Sequence, residues 1–272
     1  MLVELHTHST FSDGSYTPTE LVEECVQKNI GVLAITDHDS WEGIAEAEEA
    51  ARKYSDRIKI IAGVELSAQE DEASVHILAY RIDTNCSKLY DRMNALRYGR
   101  ELRLTKILAK LADLGYNITI EECDPFNRAV GRPHVAKALV AKGYFETVQE
   151  VFDVLLHNGG PAYVPHPKLS VEEAAELIHL AGGIAVLAHP SELKDGEMPE
   201  RILARKCLDG IEVYHPCADA EDRKKWLKLA EQYDVLVAGG SDFHGLPDRF
   251  PPALGIWQVE DRQVKKLLEL CK

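Results

Sequence analysis

The strongest constraint on this chain is where polar residues interrupt its apolar runs. Val32-Leu33-Ala34-Ile35 leads into Thr36-Asp37-His38, and Ile58 to Ala62 leads into Gly63-Val64-Glu65. Ile184 to Ala188 ends in His189-Pro190, Gly210 to Tyr214 in His215, and Val235 to Ala238 in Gly239-Gly240-Ser241-Asp242-Phe243-His244. Short runs of this kind read as strands buried on both faces, as in a parallel sheet covered by helices. An opening strand, Leu2 to His6, and a looser one, Ser74 to Tyr80 carrying His76, complete about seven strands joined mainly by helices, which points to an α/β parallel barrel close to the eight-stranded kind. His6, His38, Glu65, His189, His215 and Asp242 then all fall at or just beyond the C-terminal ends of their strands. Barrel active sites are built at that end.

The connecting helices carry their own signals. Thr17-Pro18-Thr19-Glu20 reads as a capping box with proline at the first helical position, starting a helix that runs to about Asn29. A helix from Trp41 to Tyr54 follows, with Asp39 as its cap. Ser170-x-x-Glu173 starts another, and further helices are expected from Ala220 to Tyr233 and from Gln263 to Cys271. Leu254 to Trp257 with the last helix should close the barrel. Between Cys86 and Leu114 the alternation gives way to helix, with Leu96, Leu102, Ile107, Leu108 and Leu111 on an apolar face. Helices at Gly131 to Lys142 and Thr147 to Leu156 follow. The expected organisation is a barrel of residues 1–97 and 166–272 interrupted by a helical insertion, 98–165.

With 272 residues and 45% hydrophobic composition the chain can bury a sizeable core. It lacks the succession of a secretory signal, and no apolar run is long enough to span a bilayer, so a cytoplasmic location is expected. The cysteines are scattered without Cys-x-x-Cys spacing and read as core or bystander thiols. The net charge of -14 argues against a groove for long duplex nucleic acid, though not against a small anion.

His6 and His8 point the same way from an extended segment, and both can reach one ion, with Asp13 offering an oxygen in the following turn. Nitrogen and carboxylate together suit zinc, iron or manganese better than calcium or magnesium. A His-x-His alone is equally compatible with a structural pair. Seven of the 11 histidines, however, fall within or just after strands (His6, His8, His38, His76, His189, His215 and His244). With Asp13, Glu65 and Asp242 they would be costly to bury without cations to bind them.

These motifs, His6-Thr7-His8 with Asp13, Thr36-Asp37-His38, Gly63-Val64-Glu65, His76, His189-Pro190 and Gly240-Ser241-Asp242-Phe243-His244, occur in the order found in the polymerase and histidinol phosphatase (PHP) superfamily, which the chain resembles over nearly its whole length. The resemblance implies a distorted (β/α)7 barrel, TIM-like, with a trinuclear site for divalent manganese, iron or zinc. Carried over by position, one ion takes His6, His8, Glu65 and Asp242. Glu65 bridges to a second held by His76 and His189, and a third takes Asp13, His38 and His244. Such a cluster suits phosphoester hydrolysis because cations bind phosphate oxygens, lower the pKa of bound water and neutralise developing charge. Asp37 is expected to be an outer partner of a ligand or a strand-end hydrogen bonder.

Gly131-Arg132-Pro133-His134 opens a helix whose free N–H groups, with the Arg132 fork, can hold phosphate. A helical insertion with this motif resembles the PHP subgroup of nucleoside 3',5'-bisphosphate phosphatases and 5'-to-3' exoribonucleases, in which it covers the metal site and holds a phosphate that is not cleaved. That role falls to Arg132 and His134. Tyr163, His166 and Lys168 read as surface loop residues or as the border of the same cleft. His215, near no assigned ligand set, is a proton donor or phosphate contact, or a packing residue. His157 and His179 read as structural. The expected activity is removal of phosphate from a small phosphorylated metabolite or nucleotide, foremost a nucleoside 3',5'-bisphosphate. Histidinol-phosphate phosphatase, exoribonuclease on short RNA and a non-catalytic metal-binding PHP module are the alternatives.

Overall fold

The computed structural model describes every residue except Ser55, 124–130, 166–168 and 247–248, and only the backbone of Arg97 and Arg100. In chain order the elements begin with β1 (Leu2–Glu4), α1 (Pro18–Gln27), β2 (Ile30–Ile35), α2 (Ile44–Arg52), β3 (Lys59–Glu70) and β4 (Ala73–Tyr80). Next come α3 (Ser87–Asp113), α4 (Ile120–Cys123), α5 (Arg132–Ala141) and α6 (Val148–Val151), which passes into a π-helical turn, Phe152–Leu156. The remainder is β5 (Leu169–Ser170), α7 (Val171–Leu180), β6 (Ile184–Leu187), α8 (Met198–Ala204), β7 (Gly210–Tyr214), α9 (Ala220–Gln232), β8 (Leu236–Gly239), β9 (Val259–Glu260) and α10 (Lys265–Leu270). Two compact units result, one of residues 1–90 and 169–272, the other of residues 91–168.

The first unit is a nearly closed barrel-shaped sheet in the order β8-β7-β6-β4-β3-β2-β1-β9. It is mixed rather than all parallel. β4 runs antiparallel to both β3 and β6, because β3 continues beyond Glu65 and turns back through Asp71, which takes φ 49°, so that Gly63 to Glu70 pair with Ala73 to Tyr80. Glu65 therefore lies inside its strand and not at its end. Closure also differs from expectation. Leu254 to Trp257 form turns, and the strand that meets β1 is the short antiparallel β9. On the other side, the segment after β8 reaches β1's extension through a parallel bridge of Thr7 with Phe243.

Alternate residues of successive strands, among them Val3, Leu5, Val32, Ala34, Ile61, Leu78, Tyr80 and Val186, form one buried apolar cluster, the period-2 lining of the barrel. Both predicted capping boxes form, Thr17 with Glu20 and Ser170 with Glu173. Asp39 does not cap α2. It accepts from Ser67 N at 2.8 Å and Ser67 Oγ at 2.8 Å, and the helix starts later, at Ile44.

The second unit has its own core around Leu104, Ile107, Leu111, Val135, Leu139, Val151 and Leu155. Leu104 occupies the apolar face of α3, while Leu102 is exposed. Leu104, Ile107 and Leu111 are spaced three and four apart and share a helical face, from which Leu102 is displaced by half a turn. Among the described residues no helix is long and apolar enough to cross a membrane.

Tyr80, fully buried, donates its hydroxyl to Leu5 O at 3.0 Å and so supports the backbone just before His6. Tyr80→Phe leaves that carbonyl without its donor and is expected to lower stability by about 1 to 2 kcal/mol, read as a shifted denaturant midpoint with unchanged slope.

Candidate metal centre

Glu65 draws the first unit's histidines together. Its Oε1 lies 2.9 Å from His76 Nδ1 and 3.0 Å from His189 Nε2. Its Oε2 lies 3.1 Å from His38 Nδ1, 3.2 Å from His8 Nε2 and 3.3 Å from His6 Nε2. A carboxylate has about four lone-pair positions, too few for five donors. Among the described residues only His189 makes a hydrogen bond with its side chain. The facing nitrogens of His6, His8, His38 and His76 are buried without a hydrogen-bond partner, as are His244 Nε2 and Glu65 Oε2. Ligand atoms converge but do not satisfy one another, the arrangement that a shared cation resolves.

Within this cluster His6, His8, Glu65 and Asp242 form one group whose ligand atoms lie within 4.8 Å of one another, and His8, Asp13, His38 and His244 form a second. A further group is His38, Glu65 and His76, in which His38 meets Oε2 of Glu65 and His76 meets Oε1, the oxygen that His189 also reaches. The donors are imidazole nitrogen and carboxylate oxygen, a set that fits zinc, iron or manganese.

Backbone geometry aims these groups. Asp242 and His189 take φ of 53° and 25°, uncommon for residues with a Cβ, and both sit just past strand ends. Gly240 lets the segment carrying Asp242 press against β1's extension, since a Cβ there would stand 2.4 Å from His6 Cβ. Asp37 holds the loop between His8 and Asp13, accepting from Ser9 N at 2.7 Å, Ser9 Oγ at 2.6 Å and Ser12 Oγ at 2.5 Å. It bonds the loop's polar groups and not a ligand ring.

Two buried carboxylates escaped the sequence reading. Glu212 accepts from His6 Nδ1 at 3.1 Å and from His189 N at 2.8 Å. With its Nδ1–H held there, the His6 ring presents Nε2 toward Glu65 and Asp242. Glu4 accepts from Ser241 N at 2.8 Å, tying β1 to the segment that bears Asp242. An acid between buried apolar neighbours, Ile211-Glu212-Val213 or Val3-Glu4-Leu5, was the available signal, because a buried carboxylate needs donors.

The charges respond to this crowding. Burial opposes a charged His8, but Asp242 and Glu65 outweigh it and lift the imidazole to about 9. Burial dominates at His38 and lowers it to about 3. Burial raises the Glu4 carboxyl to about 7. Burial is outweighed at Glu65, where His38, His76 and His6 hold the carboxyl well below the ordinary range.

His215 is not remote from the ligand sets. Its ring centroid lies 6.0 Å from that of His6 and 5.5 Å from that of His189, and its Nε2 is 3.8 Å from Asp242 Oδ2. Nδ1 accepts from Cys217 N at 3.2 Å and lies 2.8 Å from Cys217 Sγ, a thiol that burial pushes up to about 12. Both neighbours of Nδ1 are donors, so the neutral ring carries its proton on Nε2, toward Asp242.

In the second unit Arg132 donates Nη1 to Leu156 O at 2.9 Å and Asn158 Oδ1 at 3.1 Å, and its guanidinium lies over Phe152 and Tyr163, 5.8 and 5.5 Å from the ring centroids. His134 Nδ1 accepts from Gly131 N at 3.1 Å and caps α5. His166 and Lys168 lie outside the described residues. His179 pairs with Asp209 at 2.7 Å, and His157 Nδ1 lies 3.3 Å from Phe152 O.

The PHP domain family matches residues 4–179. The chain belongs to the PHP family. It is 34% identical over 253 residues to a 3',5'-nucleoside bisphosphate phosphatase of Chromobacterium violaceum, covering 89% of this chain and 87% of that one. Similarity to the 5'-3' exoribonuclease Rnm of Escherichia coli is 32% over 250 residues, covering 90% and 85% of the two chains. A solved structure from Bifidobacterium adolescentis, described as that of a metal-dependent phosphoesterase, superposes with a TM-score of 0.81 at 32% identity over 98% of this PHP protein and 95% of the other.

Glu212→Gln removes the carboxylate behind His6 and is expected to weaken divalent ion binding about 10- to 100-fold, measured by calorimetric titration. The His8 proton, held above its ordinary 6.5, persists at neutral pH in the ion-free protein and leaves as pH rises through about 9. Ions compete with it. Manganese binding should therefore release protons at pH 7 and tighten between pH 7 and 9, seen by titrating in buffers of different ionisation enthalpy.

Proposed function

We propose that this PHP protein is a metal-dependent phosphoesterase acting on a small phosphorylated nucleotide, foremost on the 3'-phosphate of nucleoside 3',5'-bisphosphates. The observation that carries this reading is the set of buried, mutually unsatisfied ligand atoms around Glu65. In this proposal three divalent ions are held, one by His6, His8, Glu65 and Asp242, one by Glu65, His76 and His189, and one by Asp13, His38 and His244. Manganese, iron and zinc all suit these donors. When bound they supply positive charge for phosphate oxygens and make water nucleophilic near neutral pH.

The chain's own residues orient the substrate and handle its proton. His215 Nε2 holds the proton that the leaving oxygen requires, with the tautomer set by Cys217. Glu212 fixes His6, and Asp37 fixes the His8 to Asp13 loop. In this proposal Arg132 with His134, from the helical insertion, 98–165, anchors the phosphate that is not cleaved. The planar Arg132 fork, oriented by Leu156 O and Asn158, suits that task.

Exoribonuclease activity on short RNA is the second reading, favoured by the similarity to the Escherichia coli enzyme. Both substrates carry a terminal phosphate beside the bond to be cut. Release of phosphate from adenosine 3',5'-bisphosphate in the presence of manganese tests the leading reading against a short 5'-phosphorylated RNA. Turnover of the RNA alone would replace it. Arg132→Ala should raise KM for the bisphosphate about 10- to 100-fold, the loss of one charged phosphate contact. An unchanged KM removes the anchoring role.

A further inference from the structure

Asp242 presents two different oxygens. Oδ1 faces the cluster, 3.0 Å from His8 Nε2, 3.4 Å from His6 Nε2 and 3.5 Å from His244 Nδ1. Oδ2 meets different groups, Arg249 Nη2 at 2.5 Å and His215 Nε2 at 3.8 Å. We propose that Arg249 and His215 form a binding site for the oxygens of the phosphoryl group being cleaved, on the outer side of Asp242. The inference rests on the phosphoesterase reading and adds a residue to it.

Three observations support this site. Among the described residues, Arg249 is the only lysine or arginine paired with a carboxylate of the cluster, so it brings the one fixed positive charge to a place rich in acids. Its side chain is 41% exposed while Asp242 is 7% exposed, which places the guanidinium where buried cluster meets solvent and a ligand can arrive. Only Nη2 is engaged by Asp242. The remaining guanidinium N–H groups have no partner among the described residues, and a phosphoryl group can take two of them in parallel.

His215 adds an independent indication. Its Nε2 is buried, without a hydrogen-bond partner, and aimed at the same outer oxygen. A tetrahedral oxyanion beside Asp242 Oδ2 would give this N–H an acceptor. The pair is separate from Arg132, which belongs to the other unit and is assigned to the uncleaved phosphate.

The test is calorimetric titration of the full-length, manganese-loaded protein with inorganic phosphate, for wild type, Arg249→Met and Arg249→Lys, with metal content per chain measured alongside. The expected result is phosphate binding weakened at least about tenfold in Arg249→Met, partly recovered in Arg249→Lys, with metal content unchanged in both. Unchanged phosphate affinity overturns the proposal. So does metal loss that parallels the loss of phosphate binding, since Arg249 would then act by holding Asp242. Arg249-dependent phosphate binding in a wild type that hydrolyses no phosphoester would sustain this site and sink the proposed activity. Phosphoester turnover with Arg249-independent phosphate binding would do the reverse.

Discussion

Five imidazole nitrogens lie within 2.9 to 3.3 Å of one buried carboxylate, Glu65. A single anion cannot hydrogen bond to all of them, and five imidazolium charges could not be packed round it without mutual repulsion. Neither could five neutral rings be buried there without stranding polar atoms. Cations bound among these groups would give each nitrogen lone pair an acceptor of electrons. Much of the first unit can be understood as the means of holding these groups in place.

The sheet does this by departing from regularity. Because β3 runs on past Glu65 into a hairpin with β4, the carboxylate and His76 sit inside paired strands and are fixed by the ladder on both sides. Positive φ at His189 and Asp242 costs on the order of 1 to 3 kcal/mol each and turns their side chains inward from strand ends. Buried acids behind the ligands, Glu212 and Glu4, hold that geometry through hydrogen bonds to backbone and ring. The strain and the buried charge coincide at the same end of the barrel, where stability is traded for a site ready to receive ions.

The two units have separate apolar cores. The insertion has its own apolar core, and in it Arg132 lies over two aromatic rings. Relatives in the family bear the names of a bisphosphate phosphatase and an exoribonuclease.

The sequence by itself determined the strand and helix succession and the candidate ligands, because burial of an apolar run and the polar residue that ends it are local properties. His6, His8, His38, Glu65, His189 and Asp242 could all be picked out from such positions, and the capping boxes at Thr17 and Ser170 marked their helices. The antiparallel course of β4 could not be read, since a strand's direction depends on the partner it meets and not on its own pattern. Glu212 and Glu4 were visible only as acids inside apolar strands. Arg249 had no local signal at all. Its pairing with Asp242 and the turn of His215 toward the same oxygen arise from segments far apart in the chain, and only the tertiary structure decides which charges meet there.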